Sequence, residues 1–481
     1  MYSRLEPLLF ALLAGVVMLA PVPLGSNRPW SSGLLQAVLF CALALVLVVV
    51  LRNARRRPWL DRWRESRAVM LLLAAWLAVM AGQLLPGGSA LQIGATGAHS
   101  AASLYAQAPQ LNGDGVRGWS APATVDVGTT LSSLLKYGSY VAALALALLL
   151  ARTRTRIVVL AALVVAICTL QSIYGIAVYV AGDTLQWWDP RFSPEGVAGT
   201  YVNQNHFAGL IVIGIGLALG MLGAVPLRSR RRGLHGLIEY ALAWLQGPSS
   251  LLTFALLCMS GALVLSASRG ALAALLGMSV AGFFLARKRT GVGAALPTPL
   301  LLVVLLGLGG AWLGGYDLVR KLDAQGLGSN RLELAATTVE LARHNVITGS
   351  GAGTFRWQFP AVRAPELGSS FYQHAHNDWL EMVVDVGVPG AAMLALALTL
   401  AFWRILGGLR QRHDRAARGL LAGCLVACGA FVVHALVDFN FNIPANAVIF
   451  FIVLGLGLNV ASREAFAAHE REPYKNYGRR H

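Results

Sequence analysis

Apolar positions along the chain fall in long, nearly uninterrupted blocks rather than in an alternating pattern. They lie near residues 5–24, 33–51, 68–85, 131–151, 157–181, 206–227, 249–267, 271–286, 297–315, 379–402, 419–437 and 446–461. Each block is close to the roughly 20 residues a helix needs to cross a hydrocarbon core of about 30 Å. Strands with open edges would leave backbone groups unsatisfied in lipid, and barrel strands alternate apolar with polar residues, which these runs do not. The pattern therefore predicts an all-α polytopic membrane protein with about twelve transmembrane helices. Residues 5–24 are read as the first span, because Pro21 and Pro23 follow without the small-residue pattern of a cleaved leader.

The polar connections orient the blocks. With the N-terminus inside, 28 of the 39 Lys and Arg residues fall on the inner side, ten on the outer side, and Lys136 within a span. That bias predicts cytoplasmic termini. The expected organisation is helices 1–9 over residues 1–315, with outer loops 86–130 and 182–205. An outer catalytic loop over 316–376, helices 10–12 over 377–461 and a cytoplasmic tail over 462–481 follow.

Composition agrees with this picture: the chain is 56% hydrophobic and only 13% charged, which excludes an ordinary soluble enzyme and a disordered protein. A net charge of +17 would point to nucleic acid in a soluble chain. Here runs such as Arg55-Arg56-Arg57 and Arg230-Arg231-Arg232 are topology determinants that meet anionic membrane lipids, and no nucleic-acid partner is expected. Cys41, Cys168, Cys258, Cys424 and Cys428 all fall within apolar blocks, where no disulfide framework is expected.

Candidate chemistry collects at the outer edge. Arg320, Lys321, Arg331, Arg343, Arg356 and Arg363 share one outer loop against the positive-inside trend. An anionic ligand explains them, and so does pairing with the loop's own acids. Within that loop Asn330 reads as a helix cap, with Glu333 three residues on and Leu332, Ala336, Val339 and Arg343 forming the stripe of a short amphipathic helix.

Arg269, in Ser266-Ala267-Ser268-Arg269-Gly270, stands in a tight turn between two apolar blocks with no acidic neighbour in sequence. An unpaired arginine at a membrane edge is costly and marks a functional position; the plainer alternative is snorkelling to the interface. His374-Ala375-His376-Asn377-Asp378 leads into the tenth block, which holds Glu381 and Asp385 as possible anchors for Arg269 or His376. No His-Glu-x-x-His and no Asp-x-Asp occurs, so a metal site lacks its usual ligands. A histidine beside arginines fits a general base, since its pKa lies near the working pH; a helix-capping polar cluster is the alternative.

These residues carry a resemblance. Tyr201-Val202-Asn203-Gln204-Asn205-His206-Phe207-Ala208, the Ser-x-Ser-Arg-Gly element, Gly349-Ser350-Gly351-Ala352-Gly353-Thr354-Phe355, and His376-Asn377 followed by Gly387-Val388-Pro389-Gly390 resemble, in order and spacing, the O-antigen ligase/polymerase superfamily. Asp438-Phe439-Asn440-Phe441-Asn442-Ile443-Pro444-Ala445-Asn446 resembles its polymerase branch, and Ala391 departs from the ligases, which tend to have Thr or Asn there.

The resemblance implies a GT-C type glycosyltransferase of the bacterial inner membrane, without metal or cofactor. It would move a glycan from undecaprenyl diphosphate at the periplasmic face to a glycan, lipid A core or protein acceptor. It further implies that Arg269 and Arg331 hold the diphosphate and that His376 takes the acceptor's proton. Arg191, Asn203, Asn205, Arg356, His374 and Asn377 stand as candidate substrate-binding residues. A transporter of lipid-linked glycan is the rival from another class, but it should place polar residues and helix breaks near the midplane of two matching halves.

Overall fold

The computed structural model describes residues 2–52, 58–85, 124–185, 196–225, 246–287, 329–344, 346–363 and 371–462, with isolated positions 235, 244 and 367. Among them there is no strand. The helices, in chain order, are α1 (Tyr2–Leu19), α2 (Pro29–Arg52), α3 (Pro58–Gly82), α4 (Val127–Leu150), α5 (Arg154–Ala181), α6 (Gln204–Ala224), α7 (Pro248–Leu265) and α8 (Arg269–Arg287). Then come α9 (Ser329–His344), α10 (Phe355–Val362), α11 (Asp378–Gln411), α12 (Arg415–His434) and α13 (Pro444–Ala461). Among the described residues nine helices are long and apolar enough to cross a membrane, and α1 and α8 carry shorter apolar stretches. Eleven of the twelve expected spans are thus present as helices; the block at 297–315 lies outside the described residues, as do most of loop 86–130 and the tail.

The bundle is built around α13, whose residues from Pro444 to Val460 are all buried. Its apolar character on every side is that of a helix with protein neighbours all round. Asn459 donates to the carbonyls of Ala147 (3.0 Å) and Ala151 (2.9 Å), satisfying the C-terminal carbonyls of α4. The closest pairing is α6 with α12. Gly216 and Gly220 on one helix face Gly419 and Gly423 on the other, and a Cβ at Gly220 would lie 2.4 Å from the Gly419 carbonyl. Small residues at four-residue spacing let the backbones touch, the packing expected where lipid offers no hydrophobic drive between helices.

The tenth span departs from its expected form. α11 is broken at Gly387 (φ 70°, ψ 172°), with Pro389 just beyond. The Gly-rich segment before α10 fits into that break: Ser350 N donates to Val384 O at 2.9 Å, Gly351 N to Asp385 O at 3.0 Å, and Val388 N to Val346 O at 2.7 Å. Gly387 and Gly349 both have positive φ and no room for a side chain, since a Cβ at Gly387 would come 2.2 Å from Ile347 O.

The loop over 316–376 forms two described helices, not one, and the stripe expected for the first is reversed. Leu332 and Val339 are exposed, while Leu334, Leu341 and Ala342 are buried with Phe355, Phe359, Leu367, Ala375 and Val384 of α11 in a second core. The aromatic pair on α10 supplies an apolar surface that fixes which face turns inward. Asn330 is in the first turn of α9, which begins at Ser329, so it is not the residue preceding the helix.

Candidate active site

Three chain segments far apart in sequence meet at the end of α11. The first is the start of α6, the second the histidine segment before α11, and the third the connection between α12 and α13. Asn377 caps α11, its side-chain carbonyl accepting from Trp379 N and Leu380 N at 3.1 Å. This is a capping role, and Asn203 has the same one at α6, accepting from Asn205 N at 2.8 Å. Asp378 N donates to the carbonyls of Ala435 (3.0 Å) and Asp438 (3.2 Å), and Asp378 Oδ2 accepts from Phe441 N at 2.8 Å. The start of α11 and the α12–α13 connection are therefore one bonded unit.

At its centre is Phe439. The rings of His206, His374 and His376 approach it with centroid distances of 4.4, 4.3 and 4.8 Å. Beside it the buried Asp438 carboxylate faces two of those histidines: Oδ1 is 3.5 Å from His206 Nε2 and 4.0 Å from His376 Nδ1. Burial opposes ionisation of Asp438, but the nearby His206, His434 and His376 outweigh it and hold the carboxyl below its usual range. His376 is shifted downward, first by burial and then by Arg331, His206 and His374, with Asp438 pulling the other way. It is thereby biased towards the neutral imidazole a base requires. His376 takes a left-handed backbone (φ 50°), a strained conformation for a residue with a side chain, of a kind that clusters at functional sites.

Arg269 is the first residue of α8. Its Nε and Nη2 are buried and have no hydrogen-bond partner among the described residues. Gly270 beside it packs so tightly that a Cβ would lie 2.5 Å from Val437 and 3.1 Å from the buried His434 ring. Arg331, on α9, donates to Val437 O at 3.4 Å and is otherwise exposed. Val437, the residue next to Asp438, is thus met by Arg331 and by Gly270, the residue adjoining Arg269.

Other candidates have different work. His374 Nδ1 is 2.7 Å from Glu381 Oε1, and Ala375 N donates to Glu381 Oε2 at 2.8 Å. Glu381 thus holds His374 and its neighbouring backbone, not Arg269 or His376. Asp385 likewise holds neither; its carboxylate accepts from Gly353 N (2.7 Å) and Phe355 N (3.2 Å), anchoring the Gly-rich segment. Arg356 lies over the Trp357 ring and donates to Thr129 at 3.4 Å, at the start of α4. Arg343 makes an exposed ion pair with Glu340 at 3.0 Å. Arg191 lies outside the described residues. Among the described residues no group of three or more His, Cys, Asp or Glu side chains is arranged to hold a metal ion.

Asp438, His206, His434 and Phe439 are the residues that sequence reasoning passed over. Asp438 and His206 stood within recognised motifs, but nothing in the linear order paired them. Residues 254–395 match the family model described as O-antigen ligase, a stretch running from α7 through the break in α11 and including Arg269, Arg331 and His376. No curated protein matches the chain.

Proposed function

We propose that this chain, a member of the O-antigen ligase/polymerase superfamily by its residues 254–395, is a membrane glycosyltransferase using an undecaprenyl-diphosphate-linked glycan. In this reading it works at the periplasmic face of the inner membrane, as a polymerase of lipid-linked repeat units. The observation that carries the proposal is Arg269: two buried guanidinium donors without a partner among the described residues, on the residue before Gly270, which packs against Val437 next to Asp438. Buried donors of this kind call for an acceptor, and a diphosphate supplies several.

In the proposed reaction His376 accepts the proton of an acceptor hydroxyl. The hydroxyl oxygen bonds to the anomeric carbon as the bond from that carbon to the diphosphate oxygen breaks, and undecaprenyl diphosphate leaves with the electron pair. Attack opposite the leaving group inverts the anomeric centre. Arg269 and Arg331 bind the growing negative charge through charge-assisted hydrogen bonds, preorganised as in oxyanion stabilisation. Asp438 orients His376 and stabilises its protonated form.

The polymerase reading draws on the Asp438–Asn446 element, which folds here as the short connection carrying Asp438, Phe439 and Asn440 into α13. Purified protein incubated with undecaprenyl-diphosphate glycan should yield a ladder of products on a gel. A single capped product on lipid A core would instead mark a ligase, and unchanged glycan would refute the proposal.

A further inference from the structure

A second feature adjoins the histidine cluster. Where the turn between α1 and α2 meets the start of α6, a cavity of about 140 Å³ is lined by His206 at one end and by Asn27 and Arg28 from that turn. Leu24, Tyr201, Val202 and Ile443 supply apolar wall. The space is well above the roughly 10–15 Å³ that admits one water, and well below the few hundred Å³ of a site for a larger ligand.

Its walls are fixed. Leu24, Gly25 and Ser26 all have positive φ, and a Cβ at Gly25 would come 2.5 Å from the Tyr201 ring. Thr200 Oγ1 donates to Pro21 O (2.8 Å), Ser26 Oγ to Ala20 O (2.7 Å) and Tyr201 OH to Asn446 Oδ1 (2.8 Å). His206 is 6% exposed, and its Nε2 has no hydrogen-bond partner among the described residues, lying 3.5 Å from Asp438 Oδ1. The same carboxylate oxygen faces His376.

We propose that this cavity is the subsite for one sugar ring of the acceptor. Apolar and aromatic wall suits the C–H face of a pyranose, while an amide, a guanidinium and an imidazole at its edge suit hydroxyls that both donate and accept. A diphosphate is a poorer match for the four apolar wall residues. The contacts made by the residues assigned to the diphosphate are at Val437, reached by Arg331 and by Gly270 next to Arg269, while His206 meets the neighbouring Asp438. This inference rests on the glycosyl-transfer reading given above.

The test uses the full-length protein with undecaprenyl-diphosphate glycan extracted from the native host as donor. Two acceptors are offered: the released glycan as an octyl glycoside, which lacks diphosphate and can only accept, and lipid A core. With whichever acceptor the wild type extends, Arg28→Ala and Asn27→Ala should raise acceptor KM about tenfold or more and leave donor KM within twofold. Val202→Trp, which fills the cavity, should do so more strongly. Both Asn27 and Arg28 are exposed, so folding is not at stake in the first two variants. Unchanged acceptor KM in all three, or a rise in donor KM instead, overturns the subsite while leaving the transferase reading intact. A wild type that extends neither acceptor refutes that reading, and the subsite with it.

Discussion

His376 combines a left-handed backbone, a half-buried ring and a carboxylate 4.0 Å from its Nδ1. Replacing it with Ala should lower kcat by about 10²–10⁴-fold, the usual contribution of a positioned base, while donor binding measured by filtration with labelled lipid stays near wild type. The pH profile follows from its neighbours. The base works when neutral, so kcat/KM should rise with pH through a limb on the acid side of the ordinary histidine range, because burial shifts His376 downward. Asp438 shifts it upward, so Asp438→Asn should move that limb to still lower pH; Arg331 shifts it downward, so Arg331→Ala should move the limb to higher pH. Arg269→Ala should weaken donor binding by about 10–150-fold, the equivalent of a charged hydrogen bond, and Lys should rescue poorly because it lacks the bidentate fork. Arg269 and His376 stand out in the sequence as polar side chains at the ends of apolar blocks. Asp438 and His206 do not: their roles arise from a pairing across 232 residues that only packing creates.

At the scale of elements, the length and continuity of the apolar blocks were enough to read the helices, because each must satisfy its own backbone in lipid. The break in α11 was less legible. Gly387 and Pro389 were visible, but the partner filling the break is a backbone segment some 40 residues earlier. The inward face of α9 was misread for a related reason, since Phe355 and Phe359 select it from another helix. Gly387→Ala should destabilise the protein by at least about 1–3 kcal/mol, the cost of a side chain in such a conformation, seen as a lower Tm in detergent. A Cβ at Gly407, on the same helix, would meet nothing within 4 Å, so Gly407→Ala should be neutral or slightly stabilising.

For the whole molecule, the charge bias predicts a fixed orientation that labelling can check. In a cysteine-free background, a cysteine at exposed Leu332 should react with an impermeant maleimide added outside the inner membrane, and one at exposed Arg415 only after the membrane is opened. Because the proposed leaving-group charge is met by arginines, EDTA should leave the purified enzyme's turnover unchanged, and strict dependence on added magnesium would overturn that part of the mechanism. The junction between Ile347–Phe355 and α11 bears on which parts of the molecule can move independently. Backbone bonds cross it on both sides of Gly387, Asp385 grips two more amides, and Gln83, just past the end of α3, ties Thr348 O to Asp385 O. A hinge at this seam would have to rupture all of them together, so the Gly-rich segment and α11 move as one piece.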